Sequence, residues 1–382
     1  MDKNSYFSIF VTFLRFGFLA WGGPVAQINM LREELVEQKN WINKDKFKRV
    51  LAVYQALPGP EAHELCVYFG MIRAGRMGGL LAGIGFMLPG FTLMLLLSWA
   101  YMLYGANLLL PLFVGITPAV AALIVRATHR ISGHILHDKS LIIACIVAFI
   151  LTILQVHFAL ILIVCALWQM FWTQRRPYLA TISALVVMIA SLWLTFSGEF
   201  VSYSPGSEEK AGLFIEGLKA GLLSFGGAYT TIPFLHNSMV NIYPNVTSQS
   251  FLDGIALGNI IPAPLVIFGT YIGFLAGGFW GALLMTIGIF FPAFAFTLFG
   301  HKQLDKIIDN PTLYGLLDGI SAGVVGLLAV TAIQIFIHSV SSPIQAIIFA
   351  IAITSLYLWK WRWSVPIMIL ACGILGYVIN FL

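Results

Sequence analysis

The stretch "LPGPEAHEL", residues 57–65, places two carboxylates and an imidazole directly after a proline-glycine-proline break. Glu61 and Glu64 are three residues apart, so in a helix that begins after the break they lie on one face. A carboxylate inside a membrane is costly and often carries a proton. We expect Glu64, one turn into the helix, to exchange a proton, with Glu61 and His63 as the other candidates for proton coupling. For Glu61 the alternative is a helix cap, which the helix dipole favours.

Three more segments interrupt an apolar stretch with glycine or proline, at 22–24, 226–227 and 262–264. Such breaks free backbone groups that lipid cannot satisfy, so they persist where protein or a water-filled cavity receives them. The helix N-terminus beyond a break offers N–H donors and partial positive charge, which suit an anion. The alternative is that the prolines only kink helices for packing. The residues predicted to bind a small anion at these breaks are Gly22, Gly23, Pro58, Gly59, Pro60, Gly226, Gly227, Pro262 and Pro264.

Two cations occupy matching places before the two glycine pairs. Arg15 and Lys219 each lie about eight residues into an apolar segment, roughly 12 Å along a helix. From opposite faces both could reach the centre of a membrane, so we predict that they help to bind a divalent anion. The alternative is that each side chain extends to the nearer membrane interface.

Motifs of several enzyme and metalloprotein classes are absent from the sequence. The "HEL" at 63–65 lacks the second histidine of HExxH, because Val67 stands there. Three histidines between 129 and 137 crowd one charged loop, which we interpret as solvated rather than as a metal site. The four cysteines lack metal-ligand spacing, and there is no GxxxxGK[ST] loop. We therefore expect no enzyme activity, no cofactor, no metal ion and no nucleic-acid partner.

The elements that position these residues must lie in a lipid bilayer. Of the 382 residues, 59% are hydrophobic and 10% are charged, against roughly 45 to 50% apolar residues in soluble domains. Apolar runs of about 20 residues, the length of a spanning helix, recur along the chain. An alternating strand pattern is absent, which excludes a β-barrel. The sequence therefore predicts an all-α polytopic membrane protein, and we expect no removable signal peptide.

The chain contains an internal repeat with a shift of 204 positions. "GFLAWGGPVAQI" at 17–28 returns as "GLLSFGGAYTTI" at 221–232, and "LPGP" at 57–60 returns as "IPAP" at 261–264. Glycines and prolines kept in register over such a span indicate a duplication. The predicted parts of the chain are the first repeat at 1–176, a linking helix and loop at 177–210, and the second repeat at 211–382.

Matched loops of the two repeats carry opposite charge. The loop at 32–49 holds six Lys and Arg and its match at 235–250 holds none; the loop at 126–139 holds three and its match at 338–343 holds none. Because cytoplasmic loops retain Lys and Arg, the repeats are predicted to face opposite ways, as in many secondary transporters. The same assignment makes residues 50–74 a re-entrant hairpin, with ordinary kinked spans as the alternative.

The sequence resembles the chromate ion transporter family in its two-domain form. The motifs that carry the resemblance are "FLRFGFLAWGGPVAQI", "YQALPGPEAHELCVYFGMIRAGRMGGLLAGIGFMLPGF" and "GNIIPAPLVIFGTYIGFLAGGFWGALL", which cover most of both repeats. The resemblance implies a multi-pass carrier of the cell (inner) membrane that lowers cytoplasmic chromate. Many members have Gln where this chain has Glu64, and this departure favours proton coupling here.

The residues and the resemblance together predict a secondary transporter of a small divalent oxyanion. Chromate efflux, coupled to protons as in an antiporter, is the first hypothesis. The alternatives are a carrier of sulfate or another anion, and an anion channel. The expected partners are the oxyanion and the lipid bilayer; the oligomeric state stays open, with a homodimer as one alternative.

Overall fold

The computed structural model describes residues 3–21, 23–196, 210–224, 228–308, 311–359, 361 and 363–380. These residues form helices joined by turns, with no strand among them. The helices before the link are α1 (Lys3–Phe18), α2 (Gly23–Leu31), a π-helix (Arg32–Gln38), α3 (Lys44–Ala56), α4 (Glu61–Ile135), α5 (Lys139–Ile153) and α6 (Phe158–Thr173). The link contains α7 (Pro177–Phe196), and the remaining helices are α8 (Lys210–Leu222), α9 (Thr231–Ile242), α10 (Ser248–Ile260), α11 (Phe268–Ile308), α12 (Pro311–Ser339), α13 (Pro343–Leu358) and α14 (Ser364–Asn380).

Three described segments are long and apolar enough to cross a membrane: Glu61–Tyr104, Leu265–Gly300 and Thr312–Ser339. Shorter apolar helices of 10 to 17 residues accompany them, among them α5, α6, α13 and α14. Many of their large apolar side chains face outward, as lipid-facing side chains do. The prediction of an all-α membrane protein is confirmed.

New helices begin directly after the predicted breaks. Gly23 starts α2 with φ at +79°, a left-handed conformation that glycine adopts without steric cost. Pro60 occupies the N-cap position of α4. The matching helices α3 and α10 have side-chain caps, from Asn43 to the N–H of Lys46 and from Thr247 to the N–H of Ser250. The described breaks are therefore true interruptions of the helices, and a new helix begins after each of them.

A second pair of glycines reverses the chain within α4 and α11. Gly75 has φ at +69° and Gly278 has φ at +62°. Beyond each reversal the chain returns along itself, so that Gly70 packs against Gly78 and Gly273 packs against Gly281. The arm of α4 before Gly75 is consequently short, which is the shape expected of a re-entrant hairpin. Its depth in a membrane stays a prediction.

Equivalent contacts form in the two repeats. Helix α1 packs along α4, and α8 packs along α11. In the first pair, Gly17 lies against the carbonyl oxygen of Phe86; in the second, Gly221 lies against the carbonyl oxygen of Ile289. Glycine at these crossings allows the backbones to approach closely.

The last two helices of each repeat pack against the other repeat. Helix α12 contacts α5 and α6, while α4 contacts α13 and α14. Glycines again mark the crossings, since Gly319 meets the carbonyl oxygen of Cys165 and Gly115 meets that of Cys372. The two repeats are thus interleaved rather than placed side by side.

Candidate functional site

A cavity of about 450 Å³ lies where broken segments of the two repeats meet. It is bounded by the start of α2, the turn before α11, the C-terminal part of α4 and the turn between α13 and α14. We refer to it as the arginine cavity. Its break-forming and polar lining residues include Gly23, Asn29, Arg126, Arg130, Asn259 and Ala263.

The two arginines of the cavity are one helical turn apart on α4, so they lie on the same face. Arg126 is half-buried and Arg130 is exposed. Neither forms an ion pair within the part of the chain that the structure describes. Arg130 interacts electrostatically with the carboxylate of Glu61, and both arginines interact electrostatically with the Tyr229 hydroxyl. The cavity therefore offers two guanidinium groups that no described carboxylate neutralises by direct contact.

A buried glutamine holds the two sides of the cavity together. Gln27, on α2, donates from Nε2 to the carbonyl oxygen of Ala20 at 2.9 Å and to that of Ala263 at 3.1 Å. On the other side of Ala263, Gly90 leaves no space for a side chain, because an added Cβ would lie 2.5 Å from the Ala263 Cβ. The glycine break of the first repeat is thereby fastened to the proline break of the second.

The other pair of breaks also meets across the repeats. The Gly59 N–H donates to the carbonyl oxygen of Ser224 at 3.3 Å, immediately before the second glycine pair. The prolines at both proline breaks are buried in their turns; they are Pro58, Pro60, Pro262 and Pro264. Gly22, Gly226 and Gly227, which the sequence also predicts to bind the anion, lie outside the described residues.

Glu64 is fully buried, and neither of its carboxyl oxygens has a hydrogen-bond partner in the described chain. Its carboxyl group fills the space beside Gly59, where an added Cβ would lie 2.5 Å from Oε1. Glu61, at the start of α4, is the charged neighbour that acts on it. The Glu64 carboxyl group therefore contacts the proline-glycine-proline break directly. No hydrogen bond from a described residue compensates a negative charge on Glu64.

His63 is enclosed by aromatic rings instead of facing a cavity. It is fully buried, and its ring centre lies 4.8 Å from those of Phe290 and Phe294 on α11 of the other repeat. It therefore contributes to packing between the repeats.

The structure places Arg15 and Lys219 outside the arginine cavity. Arg15 pairs with Glu34, which also accepts from Lys39 at 2.7 Å, and Lys219 pairs with Glu216 at 2.7 Å. Burial raises the pKa of Glu34, but the hydrogen bonds from Lys39 and Arg15 outweigh this, so its pKa lies below the ordinary value. A role for Arg15 and Lys219 in binding the anion stays a prediction.

A second cavity, of about 590 Å³, contains three histidines. His157 lies in the turn before α6, His236 on α9 and His338 near the end of α12. The sequence analysis did not group them, since they are far apart in the chain and carry no motif. We refer to this space as the histidine cavity.

Sequence reasoning also missed the role of the cavity arginines, which it counted only as loop cations. Their spacing of four residues at the end of an apolar run was the available signal. A further missed residue is Asp253, buried inside α10, which accepts from the Tyr101 hydroxyl at 2.8 Å and from Gln249 Nε2 at 2.9 Å. This contact joins α4 to α10 and so links the two repeats.

A family model described as "Chromate transporter" matches residues 7–170 and 211–377. The chain belongs to the chromate transporter family. The family predicted from the sequence is confirmed. Because the members of this family are named as transport proteins, the chain is a membrane transport protein and not an enzyme.

Relatives of the chromate transporter family align along nearly the whole chain. A chromate transport protein of Pseudomonas aeruginosa is 46% identical over 98% of this chain and 92% of the relative. A chromate transport protein of Cupriavidus metallidurans is 27% identical over 96% of this chain and 91% of the relative. An uncharacterized transporter of Methanocaldococcus jannaschii is 30% identical over 99% of this chain and 95% of the relative. No solved structure matches the chain at a significant level.

Proposed function

We propose that this protein is a secondary carrier that exports chromate from the cytoplasm across the cell (inner) membrane. The observation that carries the proposal is the arginine cavity, in which breaks from both repeats meet two arginines that have no ion-pair partner among the described residues. The names of its relatives support chromate as the substrate.

The chemistry of the cavity suits a tetrahedral divalent oxyanion. Guanidinium groups bind such anions through paired N–H donors, and Arg126 and Arg130 present two of them on one helix face. The N-terminus of α2, at Gly23, adds backbone N–H donors, and Asn29 and Asn259 add amide groups. In this proposal Arg15 and Lys219, which are paired with carboxylates, contribute to the positive potential rather than contact the anion.

Opposite orientation of the two repeats would make the protein a carrier with alternating access. The charge bias of matched loops places the C-terminal end of α4 in the cytoplasm and the loop at 235–250 outside. The arginine cavity then opens toward the cytoplasm, and the histidine cavity, which reaches Asn241 and Ser248, opens toward the outside. A rocking motion of one repeat against the other would expose the two cavities in turn.

Proton coupling is assigned to Glu64. Ionised Glu64 would repel a divalent anion, so the anion binds more tightly when this carboxyl group carries a proton. The coupling is reciprocal, so the bound anion favours the protonated carboxyl group by the same free energy. In this proposal the proton and the anion therefore cross together in one direction, rather than exchanging as in the antiport hypothesis. Glu61 lies within electrostatic range of both Arg130 and Glu64, so in this proposal it links the Glu64 carboxyl group electrostatically to the cavity. His63 packs against α11 of the other repeat.

Purified protein in proteoliposomes tests the carrier, with labelled chromate and labelled sulfate as substrates. We expect chromate movement that an opposite chromate pool accelerates by counterflow, and that an imposed pH gradient drives. Sulfate movement without chromate movement would replace the substrate assigned here. Electrical current without counterflow would establish a channel and refute the carrier.

Substitution of Glu64 by Gln tests the coupling, because the amide is permanently neutral. The tighter chromate binding expected at low pH should flatten in Glu64→Gln, and transport driven by a pH gradient should fall. Glu33→Gln, at an exposed carboxylate outside both cavities, is the control and should keep the full pH dependence. Full pH dependence in Glu64→Gln would make Glu64 a structural residue.

A further inference from the structure

The histidine cavity is the counterpart of the arginine cavity in the internal repeat. The shift of 204 positions that relates the repeats carries lining residues of one cavity onto lining residues of the other. Examples of matched pairs are Leu123 with Leu327, Arg130 with Gln334, and Trp361 with His157. The two cavities are therefore the same space formed twice, with different side chains.

The lining of the histidine cavity favours an anion over a cation. Its polar residues include histidine, asparagine, glutamine, threonine and serine, and no carboxylate lines it among the described residues. Amide and hydroxyl groups donate hydrogen bonds to oxyanions, and a protonated imidazole adds a positive charge. Within the described chain, no group of three His, Cys, Asp or Glu side chains is arranged to hold a metal ion.

The charged and titratable groups around the three histidines come from several elements. Lys219 and its partner Glu216, both on α8, interact electrostatically with His157. His338 on α12 interacts electrostatically with His236 on α9. On α10 the carboxylate of Asp253 is engaged by Tyr101 and Gln249 instead of lining the cavity. Burial, followed by the charge of Lys219, lowers the pKa of His157, which lies outside the spanning helices. Protonation of His157 therefore requires more acid conditions than protonation of an ordinary imidazole.

We propose that the histidine cavity is a second oxyanion site, which binds a divalent oxyanion when its histidines are protonated and releases it when they are neutral. The inference rests on the proposed function, in which this cavity lies on the exit side. The permanent charges of the arginine cavity capture the anion at any physiological pH, whereas the exit site holds it only in acid. The external pH thereby controls how readily an exported anion binds again from the outside and returns to the cytoplasm.

Calorimetric titration of the full chain in detergent tests the site, with sulfate as the probe, because sulfate stays divalent at every pH tested whereas chromate takes up a proton in acid. Arg126→Gln/Arg130→Gln is the background, because it weakens the counterpart cavity. This background is expected to bind sulfate at about pH 5.5 and at least about tenfold more weakly at about pH 8. Adding His157→Gln, His236→Gln and His338→Gln should abolish the acid-dependent binding.

The control is His134→Gln, on the exposed end of α4 and outside both cavities, which should leave the titration unchanged. If the triple variant does not stay monodisperse, His338→Gln alone should weaken acid binding by about tenfold, since one unit charge facing a divalent anion is lost. Acid binding that survives the triple substitution, or its absence from the arginine background, would overturn the proposal. Failure of the unaltered protein to transport chromate would refute the proposed function. The titration would still decide whether the histidine cavity binds an oxyanion in acid.

Discussion

Neutralising the arginines of the arginine cavity is the most direct perturbation of the proposed binding site. A sphere of the cavity's volume, 450 Å³, has a radius of about 5 Å, which puts a lining guanidinium about 6 Å from an anion at its centre. At that distance a unit charge and a divalent anion attract by about 1.4 kcal/mol in bulk water and about 5.5 kcal/mol at an effective dielectric constant of about 20. Because Arg130 is exposed and Arg126 is half-buried, the lower part of this range applies.

We therefore expect Arg126→Gln and Arg130→Gln each to weaken chromate binding by about tenfold to a hundredfold, since each 1.4 kcal/mol is a factor of about ten. The assay is the dissociation constant of the detergent-solubilised protein at neutral pH and at two ionic strengths. Higher salt should reduce the difference between wild type and variants, because it screens exposed charges. Lys in place of either Arg should retain part of the affinity, since it keeps the charge and loses the paired donors.

The matched control is Arg73→Gln. Arg73 is a cation of the same repeat that lies over the ring of Trp41 at 5.6 Å and outside the cavity. The Arg73→Gln variant should bind chromate with the same dissociation constant as the wild type. A double variant Arg126→Gln/Arg130→Gln with a dissociation constant within about twofold of the wild type, well below the expected effect of either charge, would refute the binding site.

Three further outcomes are expected. Gly59→Ala should lower the free energy of unfolding by about 1 to 3 kcal/mol, because its Cβ would overlap the carboxylate one turn into α4. The matched Gly133→Ala, whose Cβ meets nothing within 4 Å, should not lower the thermal midpoint in detergent. A cysteine at Asn245 should react with an impermeant thiol reagent from outside only, and a cysteine in the loop at 32–49 from the cytoplasm only; the reverse pattern at Asn245 would contradict the inverted orientation. Glu34→Gln should cost about 0.5 to 1 kcal/mol at pH 7 and nothing once the pH is below the folded-state pKa of Glu34. The pKa of the Glu34 carboxyl group is lower in the folded protein than its ordinary value. Its ion pairs therefore stabilise the fold at a pH above the ordinary pKa, and this stabilisation is lost as the pH falls through the folded-state pKa. A difference in stability between variant and wild type that does not change with pH would contradict this.

The helical fold and the positions of its interruptions could be predicted because they depend on local chemistry. Glycine and proline weaken a helix, so the turns at Gly23 and Pro58–Pro60 could be predicted from the residue types, although Pro89 and Pro118 stay inside α4. The cap at Asn43 and the proximity of Glu64 to its break are equally local. These features need no knowledge of the partners that the segments contact.

The site could not be predicted because it depends on how the repeats interleave. In a helix that is apolar on all sides, periodicity does not tell which face meets protein and which meets lipid. Only the four-residue spacing of Arg126 and Arg130 at the end of an apolar run set them apart from ordinary loop cations. The pairing of Gln27 with Ala263, and of Gly59 with Ser224, joins positions more than a hundred residues apart in the chain. Contacts of this kind are determined by tertiary packing.

The packing of α5 and α6 against α12 has a consequence for how the protein is made. A chain enters the membrane from its N-terminus as the ribosome synthesises it. The surface of α6 around Cys165 must therefore wait for Gly319 to be translated before its final neighbour exists. During that interval the faces of α5 and α6 that α12 covers have no partner helix. A chain that ended before α12 would leave these faces uncovered, so the first repeat cannot complete its packing by itself.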